Sequence, residues 1–462
     1  MSSNWLALER QHMDLGHVVR EERMSRMIED FCQNPGGSVK AVSKSEAASH
    51  AAYRFLESDK IEFKSMIDGQ AKATRARTNL MPEKKRFLIL NDTMYLNLTR
   101  PSPIKGSGPI GNHKEQGLLV HSGLAVTVTG VPQGIVSQQV WGRDPEKYGQ
   151  KKDRGKRRFK EKESHKWVRT LEDVNRWRND LSMELVVIGD QESDIYDLFA
   201  APREDTVHYL VRATGNRKVT ENANILEFLA ARPVNGKTDI SLNRAPGRRA
   251  RTAKCHVTYA TITLQPPYRK YPEEKYGPVI LTAVWCREPH PPKGQAGISW
   301  LLLTTLPVES TAAALECVRY YTYRWLIEQY HRVLKGGCRI EERQLRTKEN
   351  MERMLGIFNY VAWRLLWILY RSREAPQACC EEAFSREEWM VLYARLNGKV
   401  YRKKTPPTLA DAVKWIATLG GYWGRKNDGP PGIIILWRGM TALQETLATA
   451  EALTKAKFVA NA

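Results

Sequence analysis

Two short apolar runs, each closed by an aspartate, constrain this chain more than any other feature. Arg86-Phe87-Leu88-Ile89-Leu90-Asn91-Asp92 and Glu184-Leu185-Val186-Val187-Ile188-Gly189-Asp190 have the length and branched composition of buried strands. Both predict a strand that delivers a carboxylate at its C-terminal end. Gly117 to Thr129 and Gly134 to Trp141 read as further β segments, and a helix is predicted from Ser193. Ser299-Trp300-Leu301-Leu302-Leu303-Thr304 reads as a strand returning to the main sheet, followed by a long helix from Thr311 to Leu334 that Gly336-Gly337 ends. The expected class is α/β, and 462 residues suffice for about three domains at ~150 residues each.

The flanks read differently. To roughly Asp68 the pattern is helical, broken at Gly36-Gly37, with Arg20, Arg23, Arg26, Lys40 and Arg54 spread through it. Val207 to Glu288 reads as successive strands with turns at Gly215-Asn216, Asn235-Gly236 and Pro266-Pro267, which suggests a β-rich insertion. From about Arg353 the chain is largely helical, with a basic, proline-containing interruption at Lys399 to Pro407. There is no internal repeat.

Charge narrows the partners. Lys and Arg number 72 against 51 Asp and Glu, a net +21, while charged residues are an ordinary 27%, so the excess is one of sign. Such a field attracts polyanions, nucleic acid first. Lys151 to Lys166 holds nine basic and three acidic residues, a local +6; it reads either as a solvated loop or as one that tracks phosphates. Met1 to Gln11 carries Glu9 and Arg10 and lacks the apolar core of a secretory signal. Val361 to Tyr370 and Ile433 to Trp437 fall far short of the ~20 residues of a membrane span. Seven cysteines without a Cys-x-x-Cys pair read as reduced thiols, so a cytoplasmic protein with no structural zinc and no membrane partner is expected. Gly106-Ser107-Gly108-Pro109-Ile110-Gly111 matches a dinucleotide fingerprint by letters, but its proline and the lack of a following helix reject it.

Cutting or joining a phosphodiester with divalent cations needs a few converging carboxylates and basic groups that hold the flanking phosphates. Asp92 and Asp190 supply two. The helix around Glu328 supplies a third together with Tyr321, Arg324 and Lys335, at offsets of 3, 7 and 14 from Tyr321. On an ideal helix these four lie within an arc of roughly 60°. Singly each has a bland reading: a turn or cap aspartate, an i,i+4 pair of Glu328 with Arg324 or Arg332, a lysine complementing the helix dipole.

Tyr321-x-x-Arg324-x-x-x-Glu328-x-x-x-x-x-x-Lys335 resembles the Tyr-Arg-Glu-Lys signature of bacterial insertion-sequence DDE transposases, in the branch typified by transposon five (the insertion sequence four family). Asp92-Thr93, Gly117-Leu118-Leu119-Val120-His121-Ser122, Glu161 to Trp167, Asp190-x-Glu192-x-Asp194, Trp300 to Thr304 and Gly337 to Glu342 match in order, so the resemblance spans about residues 10 to 450. It implies an RNase-H-like catalytic core at 71–206 and 300–372, interrupted by a β-rich insertion at 207–299. A helical end-DNA-binding domain at 1–70 and a helical C-terminal dimerisation region at 373–462 would flank it. It also implies Asp92, Asp190 and Glu328 as catalytic ligands of two Mg²⁺, with Mn²⁺ able to substitute. Tyr321, Arg324, Lys335, Trp300, Lys166, Arg212, Arg23, Arg54, Arg157 and Arg158 would contact DNA, Trp300 by stacking near a flipped base.

The implied chemistry is strand hydrolysis at each transposon end, hairpin formation, hairpin opening and strand transfer. The implied partners are double-stranded DNA, both ends and target, and a second copy of the chain, in a bacterial cytoplasm at the nucleoid. A metal-dependent nuclease that never joins DNA is the nearest rival. A non-catalytic DNA-binding inhibitor is the other, and it would have no use for three acids.

Overall fold

The computed structural model describes residues 5–81, 86–111, 114–149, 157–177, 183–219, 223–242, 250–268, 271, 275–425 and 428–456. It opens with helices α1 (Trp5–Gln11), α2 (Val18–Gln33), α3 (Val39–Val42), α4 (Glu46–Glu57) and α5 (Phe63–Asn79). Ser38 and Ser45 start α3 and α4 by accepting from Ala41 N and Ala48 N, which satisfies donors that a helix start leaves bare. The expected boundary at residue 70 falls inside α5. That helix packs on a later part of the chain: Gln70 Nε2 donates to Gly356 O at 2.6 Å, and the Arg77 guanidinium lies 3.9 Å over the Trp363 ring.

Then come β1 (Arg86–Asn97), β2 (Gly108–Ile110), β3 (Glu115–Thr127), β4 (Pro132–Trp141), α6 (His165–Trp177), β5 (Glu184–Gly189), α7 (Tyr196–Phe199) and β6 (Val207–Arg212). Strands β4, β3, β1, β5 and β6 lie side by side in that order. Among the first three each strand is antiparallel to its neighbour, and β1, β5 and β6 are parallel. This is the RNase-H-like order. Residues alternate between its two faces: Leu88, Leu90 and Met94 of β1 join the core under the catalytic and C-terminal helices, whereas Phe87 and Ile89 join the one under Trp167 and Leu171 of α6. Each such side chain, fully buried, contributes about 1.5–3 kcal/mol.

The insertion carries α8 (Ile225–Ala230), β7 (Gly236–Leu242), β8 (Arg251–Leu264) and β9 (Val279–Arg287), and β10 (Ser299–Thr304) returns from it. An insertion drawn from residue 207 begins one strand too early, because β6 pairs in parallel with β5 and so belongs to the core. The added strands extend the same sheet: β10 pairs antiparallel with β6, then β9, β8 and β7 follow.

Helices α9 (Thr311–Thr322), α10 (Trp325–Arg332), α11 (Lys348–Glu374), α12 (Arg386–Asn397), α13 (Leu409–Leu419) and α14 (Ile433–Lys455) complete the chain. The apolar run at Val361 to Tyr370 lies within the largely buried α11. Among the described residues no helix is long and apolar enough to cross a membrane.

Candidate active site

Asp92 lies in the middle of β1, not at its end as the apolar run suggested. Strand β3 accompanies β1 as far as Asn97↔Gly117 and prolongs it, while the parallel partner β5 stops pairing at Leu90↔Ile188. Asp92 and Asp190 therefore both stand at the carboxyl edge of the parallel pair. Asp92 Oδ1 accepts from Thr93 N at 2.8 Å. The Asp190 side chain accepts from Glu192 N at 2.9 Å, capping a single 3₁₀ turn, Gln191–Ser193.

Glu328 comes from α10, and the guanidinium of Arg324 joins it to the sheet. Arg324 Nη1 is 3.5 Å from Asp92 Oδ2, and Nη2 is ion-paired with Glu328 Oε1. Burial lifts the Asp92 carboxyl to about 6. Arg324 and the Thr93 N–H oppose that rise, whereas the neighbouring Asp190 and Glu328 charges add to it. Burial also raises Asp190, against the Glu192 N–H and Arg324.

The helix is not the uniform rod that the four-residue stripe assumes. It tightens at Tyr323 and Arg324, where Arg324 N, Leu326 N and Ile327 N donate three residues back rather than four, and it widens to a π turn at Val333–Gly337. Even so, Tyr321 and Glu328 both stay beside Arg324. Tyr321 is buried edge-on against Trp300, ring centroids 5.1 Å apart, and Trp300 itself is half-buried. Burial raises the Tyr321 phenol, opposed by Arg324 and by a hydrogen bond with Arg212. Lys335 Nζ is 3.1 Å from Glu341 Oε1. Lys166, at the start of α6, is buried and sits 3.1 Å from Glu192 Oε2.

The remaining predicted contacts lie elsewhere. Arg23 and Arg54 are on α2 and α4 of the N-terminal helices. Arg157 lines a cleft of about 440 Å³ between β4 and α6 with Trp141, Arg143, Lys160, Lys166 and Arg169, and Arg158 lies 5.5 Å from the Tyr271 ring centre. Residues 151–156 of the basic run are outside the described residues.

Three residues near the site had no assigned role. Glu341 both pairs Lys335 and accepts from Asn97 N at 2.7 Å, tying the π turn to the end of β1. Asp194 pairs with Arg217 at 2.7 Å and accepts from Thr214 N at 2.7 Å, fixing the loop after β6. His121 is bonded to Thr93 beneath Asp92. Glu341 and Asp194 stood inside recognisable motifs, but Asn97, Arg217 and Thr214, which they hold, are distant in sequence and so invisible there.

Two carboxylates on one arginine, with a third close enough to repel Asp92, are all oxygen donors and suit a hard divalent cation. Among the described residues no group of three or more His, Cys, Asp or Glu is already gathered for a metal. The donor chemistry fits, with Arg324 supplying positive charge in the cluster.

An RNase-H-like sheet that presents two of these acids beside a helix that carries the third and its arginine, in a chain of net +21, defines a phosphoryl-transfer enzyme of nucleic acid. Residues 2–61 match the transposase DNA-binding family, 160–362 the transposase DDE domain and 360–458 the transposase Tn5 dimerisation domain. The chain belongs to the Tn5-like DDE transposases; it is an enzyme that binds DNA and forms dimers, in a family that uses divalent metal ions. Among solved structures, the cryo-EM structure of the piggyBac transposase synaptic complex with hairpin DNA is similar at a TM-score of 0.36 and 10% identity. That match covers 84% of this chain and 73% of that one.

Proposed function

We propose that the chain is a cut-and-paste transposase that binds its transposon ends, cleaves them through a hairpin intermediate and joins the 3′ ends to target DNA. The observation that carries this reading is Arg324, a single guanidinium shared by Asp92 of the sheet and Glu328 of the helix, with Asp190 near enough to influence Asp92. Asp92, Asp190 and Glu328 would hold two Mg²⁺, with Mn²⁺ as a substitute. When bound, the cations supply Lewis-acid activation of the attacking oxygen and stabilisation of the leaving one.

The chain's own groups position the DNA. Arg324, Lys335, Tyr321 and Arg212 hold phosphates on either side of the scissile bond, and Lys166 holds one beside Asp190. Arg157 and Arg158 follow the flanking backbone, Arg23 and Arg54 serve the end-binding helices, and the C-terminal helices pair two copies across two ends. The working compartment is the bacterial cytoplasm, at the nucleoid.

Trp300 gives the hairpin step a specific test. To bend back on itself the duplex must unstack a terminal base, which costs a few kcal/mol; stacking on an aromatic ring returns about 1–3 kcal/mol. On DNA bearing the native ends, a denaturing-gel time course in Mg²⁺ should show nicked, hairpin, released and joined products in turn. Trp300→Ala should spare the nick and slow the hairpin step by about 5- to 150-fold, the equivalent of that stacking energy. Phe should restore part of the rate. Nicks that never become hairpins or joined products would make the native protein a nuclease. Equal loss of nicking and hairpin formation in Trp300→Ala would make the tryptophan structural support for Tyr321.

A further inference from the structure

His121 is completely buried on β3, directly across the strand pair from Thr93. Its Nδ1 shares a hydrogen bond of 2.9 Å with Thr93 Oγ1. Among the described residues its Nε2 has no hydrogen-bond partner, and neither has Oε1 of Gln139, the residue paired with it on β4. Burial drives the imidazole well below its ordinary pKa, and the Lys166 charge adds to the effect. A buried polar group with one nitrogen unsatisfied costs free energy that a phenylalanine or leucine at the same place would not. The one hydrogen bond that offsets this cost goes to the hydroxyl of the residue next to Asp92.

That bond is well placed to matter. Successive side chains on a strand point to opposite faces, so His121 grips Thr93 from the α6 side of the sheet while Asp92 faces the catalytic helix. Thr93 N is also the group that donates to Asp92 Oδ1, at 2.8 Å. On its other side the imidazole meets Trp167 of α6 edge-on, ring centroids 4.5 Å apart. The ring is thus wedged between a packed indole and the Thr93 hydroxyl, and Thr93 carries that constraint to the carboxylate.

We propose that His121 is a positioning residue: through Thr93 it fixes the orientation of the Asp92 carboxylate without touching DNA or metal. The inference rests on Asp92 being a metal-holding residue, as argued above. Partners of this kind typically matter by about 10- to 100-fold in metal affinity.

The test compares His121→Phe, His121→Asn, Thr93→Val and the Thr93→Val/His121→Phe double variant, full length and bound to end DNA. Three quantities are read: Mn²⁺ binding by electron paramagnetic resonance, thermal unfolding in EDTA, and strand cleavage. His121→Phe and Thr93→Val should each weaken Mn²⁺ binding about 10- to 100-fold. The double variant should be no worse than either, because the two groups act as one unit. Asn, which keeps a hydrogen-bonding group near the place of Nδ1, should recover most of the affinity. Unfolding should follow a different order: the double variant, with apolar groups on both sides, should regain stability that the single variants lose, while its Mn²⁺ affinity stays low.

Affinity that rises and falls with unfolding temperature across the set would make His121 a packing residue and overturn the proposal. So would unchanged Mn²⁺ binding in folded Thr93→Val, or Asn behaving no better than Phe. Asp92→Ala separates the two levels. If it keeps Mn²⁺ binding and cleavage, the site assignment itself is wrong; if it loses both while His121→Phe changes neither, only the positioning role fails.

Discussion

The carboxylate centre and the basic cleft that meets it at Lys166 carry opposite charge, and the fold builds them by opposite means. Asp92 sits on a strand paired through to Asn97, and its side chain is 21% exposed; its arginine partner comes from a packed helix and is 20% exposed. In the cleft only Lys166 is buried, while Arg143 and Arg157 are half-buried and Lys160 and Arg169 exposed, on the connection between β4 and α6 or the outer side of that helix. Phosphoryl transfer punishes a misplaced ligand by orders of magnitude, because the reacting atoms must be held in line. Attraction of a DNA backbone by counterion release depends on how many charges approach it and far less on where each one stands. This surface therefore tolerates change unevenly: register protects the acids, whereas number protects the bases.

Loss of an acid should have the greatest consequence. Asp92→Ala, Asp190→Ala and Glu328→Ala should each reduce cleavage by at least about 10³-fold, on the several kcal/mol of transition-state stabilisation that metal-held charge provides, and leave end binding in a gel-shift assay near native. A variant that still cleaves at a near-native rate in Mg²⁺ removes that residue from the site and with it the claim that position governs this region.

A smaller effect concerns the free energy stored at Asp92. Because burial lifts this carboxyl to about 6 from 3.8, the folded protein keeps a proton that the unfolded chain has already released. The stabilisation that this proton gives is fully present below about pH 4 and is lost as pH rises through about 6. In EDTA, Asp92→Asn should therefore match the native protein near pH 4 and exceed it at pH 7.5 by up to about 3 kcal/mol, from roughly two pKa units at 1.36 kcal/mol each. Denaturant unfolding at the two pH values measures it. Equal stability at pH 7.5 would mean that the acid is held without strain and that this region differs from the cleft in geometry alone.

How far these regions were legible in the sequence follows the same division. The two strand runs, the third acid and the Tyr321 to Lys335 spacing are local patterns, and they marked the sheet and the helix correctly. The mid-strand position of Asp92 was not legible, since it depends on how far β3 accompanies β1, a pairing across about thirty residues. The tightening at Tyr323 and Arg324 was hidden for another reason: a projection at 100° per residue assumes an unbroken helix. Parallel pairing of β6 with β5 drew a strand from the expected insertion into the core, because apolar alternation looks alike in both. His121 and Glu341 act through partners 28 and 244 residues away, Thr93 and Asn97, that no window of sequence contains. In the basic run, by contrast, net charge is a composition property and was plain from the letters.

The smallest effect per residue lies in that run. If number rather than position governs it, neutralising Lys156, Arg157 and Arg158 together to Ala should lower affinity for end DNA at fixed salt, and no single replacement should account for most of the loss. Each phosphate contact releases counterions with a slope of about 0.9 in log affinity against log salt on B-DNA, so a triple variant that loses two or three contacts should flatten the slope by about 2 to 3. Arg158 already has an aromatic neighbour in Tyr271, and Arg157 shares its cleft with the buried Lys166, so neither charge stands alone. A salt titration by fluorescence anisotropy, repeated on the single variants, reads both the slope and its additivity. An unchanged slope in the triple variant would make the run a solvated loop. A single arginine that carries the whole loss would overturn the contrast differently: the cleft would then hold one phosphate in a fixed place, as the acids hold their metals, and position would govern both regions.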